Sequence, residues 1–146
     1  MGQSMVSGIQ SVYLPVTNPK KSADWYVTHL SVKLLRPVDE KAQQAQLGFP
    51  QGQTLFLIQT SEKGNANFKE ISGTIQCPIT IQVTDIHKFY NQLRDRGAII
   101  DKLEDNGDCG LNFYLYDPDG NKLDIWGGWP QPMSITGKQT EAAVTL

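Results

Sequence analysis

From Ile9 to Val16 apolar and polar positions alternate, with Val12, Leu14 and Val16 on one side and Ser11, Tyr13 and Pro15 on the other. A period of two sends successive side chains to opposite faces, so this stretch predicts a strand with two unlike faces. The period then changes. Asn18 can cap a helix through its side-chain oxygen, and Pro19 suits a first helical position, where no donor is needed. Ala23, Tyr26, Val27 and Leu30 recur at i, i+3, i+4 and i+7, which predicts an amphipathic helix over 19–30. Three extended segments follow at 32–37, 45–49 and 54–59, the last two joined by a turn at 50–53. The stretch 62–74 is polar and rich in Gly and Asn, and reads as a connector. The order then restarts. Ile79, Ile81 and Val83 alternate within 78–83, Asp85 is a second cap, and Ile86, Phe89, Tyr90 and Leu93 repeat the helical stripe until Gly97. Strands are predicted at 98–103, 111–116 and 122–126, with Asp117-Pro118-Asp119-Gly120-Asn121 as a hairpin turn. From Pro130 the chain is polar and without period, an arm or a disordered tail.

The halves overlay. Val16-Thr17-Asn18 matches Val83-Thr84-Asp85, and Gly52 to Leu57 matches Gly120 to Ile125 at nearly the same offset. Chance similarity of two strand–helix starts is the alternative to an internal duplication. A strand–helix–three-strand unit of ~65 residues cannot cover its own sheet face, whereas two units share a concave surface. The expected fold is therefore α+β: one domain over 1–128, two βαβββ modules at about 9–60 and 76–128, a connector at 61–75 and a tail at 129–146.

Composition narrows the chemistry. The 146 residues carry a net charge of −2, 39% apolar and 19% charged residues, an ordinary globular balance that gives no reason to expect nucleic acid as a partner. The start of the chain has no charged segment followed by an apolar run, and no apolar stretch approaches ~18 residues. A soluble, cytoplasmic protein with no membrane partner is expected. Cys77 and Cys109 read as reduced thiols rather than a disulfide framework. With two His and two Cys in all, a zinc site built on a Cys-x-x-Cys pair is excluded. His29 and His87 read as surface residues.

Three segments together give a resemblance. Leu14-Pro15-Val16-Thr17-Asn18-Pro19 runs into Ser22-Ala23-Asp24-Trp25-Tyr26 and Leu30, with Ser31 where a Gly is usual. Ile79 to Asp85 is followed by Leu93 and Gly97. Tyr116 to Asp124 contains Asp-Pro-Asp-Gly-Asn. Over about residues 9–128 the chain resembles the vicinal oxygen chelate superfamily, the glyoxalase, bleomycin-resistance and extradiol-dioxygenase group. The resemblance implies paired βαβββ modules forming a cupped mixed sheet, a site in the cup and, commonly, a homodimer. Metal-dependent relatives take ligands from the start of each module's first strand and from each module's last strand. The internal alignment puts Ser11, Pro78, Phe56 and Asp124 at those positions. Pro78 and Phe56 carry no donor, neutral Ser11 is a poor ligand, and one carboxylate does not hold a divalent ion tightly. A member without a metal or other cofactor is expected.

Strand alternation then assigns the cup. If Val12/Leu14/Val16, Ile79/Ile81/Val83, Leu123/Ile125 and Leu111/Phe113/Leu115 face the helices, the opposite set is Ser11, Tyr13, Phe56, Ile58, Pro78, Thr80, Gln82, Asn112, Tyr114, Tyr116, Asp124 and Trp126. Aromatic rings with one carboxylate suit a small planar or partly apolar organic ligand, a cation included, as in sequestration of an antibiotic or metabolite. Trp129 could flank a pocket mouth or a dimer contact, and Cys77 could border the site. Asp124 is the best candidate for a catalytic group, although no second acid, His or Cys is placed beside it. Two alternatives stay open: a metal-dependent lyase, transferase or dioxygenase using Asp124 and a divalent ion, and an interaction module whose cup is packed shut.

Overall fold

The computed structural model describes residues 4–131. The predicted tail therefore lies outside the described residues from 132 onward. The chain runs β1 (Ser11–Val16), α1 (Pro19–Leu30), β2 (Lys33–Leu34), β3 (Gln44–Gly48) and β4 (Thr54–Gln59). A small hairpin follows, β5 (Phe68–Lys69) paired with β6 (Ile75–Gln76). The second pass runs β7 (Ile79–Gln82), α2 (Ile86–Asp95), β8 (Ile99–Ile100), β9 (Glu104–Asp105), a single 3-10 turn at Gly107–Cys109, β10 (Leu111–Tyr116) and β11 (Lys122–Trp126). The fold is α+β, with two βαβββ passes, the second carrying one extra short strand, β9, paired with β10. Sheet order is β1-β4-β3-β2 in the first and β7-β11-β10-β8 in the second, so corresponding strands occupy corresponding places.

Contacts divide the described chain into two compact units, residues 4–79 with 116–123, and residues 80–115 with 124–131. In the first, β1 pairs parallel to β4 with Tyr13 opposite Phe56, and β3 pairs antiparallel to β4. Leu14, Val16, Leu55, Leu57, Ala45 and Leu47 fill the helix side of this sheet and are buried. The α1 cap forms as the sequence predicts: the Asn18 side chain accepts from Lys21 N, and Pro19 opens the helix. The buried stripe is turned from the predicted one. Pro19, Ser22, Ala23 and Tyr26 are buried, while Val27 is 39% exposed. The rotation follows from what the helix meets, because Ser22 and Tyr26 face the polar side chains of the 117–121 turn.

That turn does more than reverse the chain. Tyr26 Oη donates to Asp117 Oδ2 at 2.8 Å, and Thr17 N and Oγ1 donate to Asp119 Oδ1 at 3.1 and 2.8 Å. Asn121, fully buried, donates to Pro15 O at 3.0 Å and accepts from Ala66 N at 2.8 Å. Buried polar groups are tolerated when each finds partners, and these do. The predicted connector is also more ordered than its composition suggests: Asn67 donates to Gly120 O and accepts from Lys122 N, just ahead of the β5–β6 hairpin.

In the second unit Asp85 caps α2 by accepting from Lys88 N. Phe89 and Tyr90 pack their rings on Phe113 of β10, so Leu111, Phe113 and Leu115 face the helix and Asn112 and Tyr114 face away from it. Several predicted strands are shortened. The 9–16 strand starts at Ser11, 32–37 reduces to β2 and 98–103 to β8. β2 and β8 end their sheets, where a strand has one neighbour and its unpaired side carries no ladder.

Candidate ligand-binding site

The second unit contains a recess of about 300 Å³, the lower end of the range for small-ligand sites. Its floor comes from strand alternation. Thr80 on β7, Asn112 on β10 and Asp124 on β11 all project from the face opposite α2. Asp124 Oδ2 accepts from Thr80 Oγ1 and Oδ1 from Asn112 Nδ2, both at 2.8 Å. Asn112 is buried and its Oδ1 accepts from Asn106 Nδ2 at 2.6 Å. The wall is aromatic: Trp126 and Trp129 meet edge to face, with centroids 5.1 Å apart and planes at 87°. Trp129 is 61% exposed, so most of its surface is open to a binding partner.

The loop 106–110 completes the recess. Asn106 N bonds to Gly110 O and Cys109 N to Asn106 O, which closes it into a tight turn. The Cys109 carbonyl accepts from Trp126 Nε1 at 2.7 Å and fixes the indole plane. Gly110 has φ +84°, and a Cβ there would lie 2.3 Å from Gly128 O, so only glycine lets loop and strand end approach this closely.

Of the residues assigned to a site from sequence, Thr80, Asn112, Asp124 and Trp126 come together here. Gln82 and Tyr114 belong to the same unit without lining the recess, although the Gln82 amide packs against Gly128. Ser11, Tyr13, Phe56, Ile58, Pro78 and Tyr116 belong to the first unit. There Ser11 and Thr54 share a hydroxyl hydrogen bond, and Tyr13 stands edge-on to Phe56 with centroids 5.0 Å apart. The lining cysteine is Cys109; Cys77 does not line the recess. Asn106 and Cys109 are additions to the sequence-based set, and Trp129 takes the pocket position considered for it. The glycine pair Gly107 and Gly110 was the available signal for a tight loop. His87 is exposed, whereas His29 is half-buried and edge-on to Trp25, and neither lines the recess.

Two βαβββ passes with matched sheet orders define a class of duplicated α+β proteins. Within that class the chain belongs to the Glyoxalase/Bleomycin resistance protein/Dioxygenase superfamily, whose family model matches residues 8–125. No curated protein matches the sequence. Solved structures show the same fold at low identity. TnmS3, an antibiotic binding protein from Streptomyces sp. CB03234, superimposes with a TM-score of 0.66 at 19% identity, over 86% of this chain and 98% of its own. Lactoylglutathione lyase from Agrobacterium tumefaciens gives 0.66 at 14%, over 86% and 96%. The oxidase ChaP-H2 gives 0.62 at 17%, over 85% and 95%.

Metal-dependent chemistry needs a set of donors, and the described residues at the positions expected to supply one do not fit it. Among the described residues no group of three His, Cys, Asp or Glu side chains is placed to hold an ion. Phe56 and Pro78 offer no donor, the Ser11 hydroxyl is engaged with Thr54, and each oxygen of Asp124 already accepts from a neutral donor.

Proposed function

We propose that the protein binds a small planar, partly apolar organic molecule in the recess of the second unit, without a metal, and acts by sequestering it. The observation that carries this reading is the pairing of an open two-tryptophan wall with a carboxylate held in place by Thr80 and Asn112. A ring lying against Trp126 or Trp129 gains apolar burial and stacking, and a polar substituent reaches Asp124. The likeness of the fold to an antibiotic binding protein is consistent with sequestration as the purpose. The donor set does not favour the other reading, a metal-dependent lyase, transferase or dioxygenase built on Asp124.

Titration of tryptophan emission with a panel of planar heteroaromatic compounds tests the proposal. Saturable quenching is expected, abolished by Trp126→Ala and weakened at least tenfold by Asp124→Ala. Absence of binding across a broad panel would sink it. So would a stoichiometric divalent ion, found by metal analysis of the purified protein and lost in Asp124→Ala.

A further inference from the structure

The hydrogen bonds around Asp124 all run in one direction. A carboxylate has no hydrogen to give, so the Asn112 group facing Oδ1 is the Nδ2 amine. That turns Asn112 Oδ1 the opposite way, where it accepts from Asn106 Nδ2. Thr80 commits its hydroxyl hydrogen to Asp124 Oδ2, and Trp126 commits its indole N–H to the Cys109 carbonyl. Asn112 is 7% exposed, so little of its amide is open to a ligand. Asp124 and Thr80 are therefore left presenting lone pairs. Among the described residues no Lys, Arg or His lines the recess, and the indole faces add negative quadrupole rather than positive charge.

We infer that the recess selects an N–H-bearing organic cation over neutral or anionic molecules of the same shape, with Asn106 as the positioning residue that holds this polarity through Asn112. The inference rests on the ligand-binding reading of the same recess and adds the charge and donor pattern of the ligand. The Asn106 side chain is separable from the loop it sits in, because the turn is closed by backbone bonds, Asn106 N to Gly110 O at 2.9 Å and Cys109 N to Asn106 O at 3.2 Å. Its side-chain bond to Asn112 fixes the amide that in turn orients the carboxylate.

Calorimetric titration with three probes of one ring system, 2-naphthamidine, 2-naphthamide and 2-naphthoate, separates these claims. The amidinium should bind at least tenfold more tightly than the amide, because hydrogen bonds to a charged partner are about twice as strong as neutral ones, and the carboxylate should not saturate. Asp124→Asn should bring amidinium and amide to nearly equal affinity. Asn106→Leu should narrow the amidinium-to-amide affinity ratio at least threefold, and Asn106→Gln should restore much of that ratio. If Asn106→Leu does not fold, Asn106→Ala carries the same comparison. Equal binding of all three probes by the wild type would overturn the selectivity while leaving the ligand-binding reading intact. An unchanged probe ratio in a folded Asn106→Leu protein would overturn the role of Asn106. Failure of all three probes overturns the inference, and failure of the wider aromatic panel as well overturns the reading beneath it.

Discussion

Ser31 ends α1 with φ 57°, in the left-handed region, and it is the one non-glycine residue with positive φ among those described. Its N–H bonds to Val27 O at 3.1 Å, so the residue serves as the helix's left-handed cap, a conformation that favours glycine. A side chain in this region costs roughly 1–2 kcal/mol against the following carbonyl, partly offset by the greater freedom that glycine would have in the unfolded chain. Ser31→Gly should therefore stabilise the protein by about 1 kcal/mol, read as a higher urea midpoint at unchanged slope. The substitution lies in the first unit, so ligand affinity at the recess should not move. A lower midpoint would mean that the Ser31 side chain makes a compensating bond.

At the scale of elements, the loop 106–110 depends on a close approach rather than on its side chains alone. Gly110→Ala would drive a methyl group into Gly128 O and impose a strained φ, each effect costing on the order of 1–3 kcal/mol. The loop is expected to shift away, breaking the bond from Trp126 Nε1 to Cys109 O. A change in tryptophan emission, a lower melting temperature and loss of ligand binding should appear together. The same loop shows where sequence reading stops. Both helices, β4, β10 and β11 were legible because caps and alternation are local rules, and they place Thr80, Asn112, Asp124 and Trp126 on one face. Asn106 and Cys109 reach that face only because Gly110 packs on Gly128, a contact that no local period encodes. β2 and β8 were overdrawn for a related reason: apolar residues such as Leu34 and Ile99, 38% and 70% exposed, suggested extended segments longer than an edge strand pairs. The Asp117–Asn121 turn was legible as a turn, but its side chains also bond residues 91 to 106 positions away in the chain.

Across the whole chain, the long-range bonds of this turn accompany the placing of the 116–123 segment in the unit otherwise formed by residues 4–79, and Asp117 joins one of them to the turn's own bonds. Four donors converge on its carboxylate: Tyr26 Oη, Asn121 Nδ2, and the backbone N–H groups of Asp119 and Asn121. Burial raises the carboxyl above its ordinary value, with those hydrogen bonds pulling the other way. Burial, aided by the charge of Asp117, raises the Tyr26 phenol far above its own ordinary value, so Tyr26 remains a donor. Asp117→Asn replaces one acceptor oxygen with a donor facing donors, and at neutral pH should cost about 2 kcal/mol. The pH dependence separates burial from hydrogen bonding. A folded value above the unfolded one means that the native state holds more protons in the window between them, so Asp117's contribution to stability falls as pH rises through that window and grows as pH falls. The asparagine variant lacks this group, and other groups that titrate alike in both proteins cancel in the comparison. Urea denaturation of both proteins from pH 7 toward pH 4 should therefore show the stability gap widening as acid is added. A gap that narrows instead would mean that the four hydrogen bonds outweigh burial and hold the Asp117 carboxyl below its ordinary range.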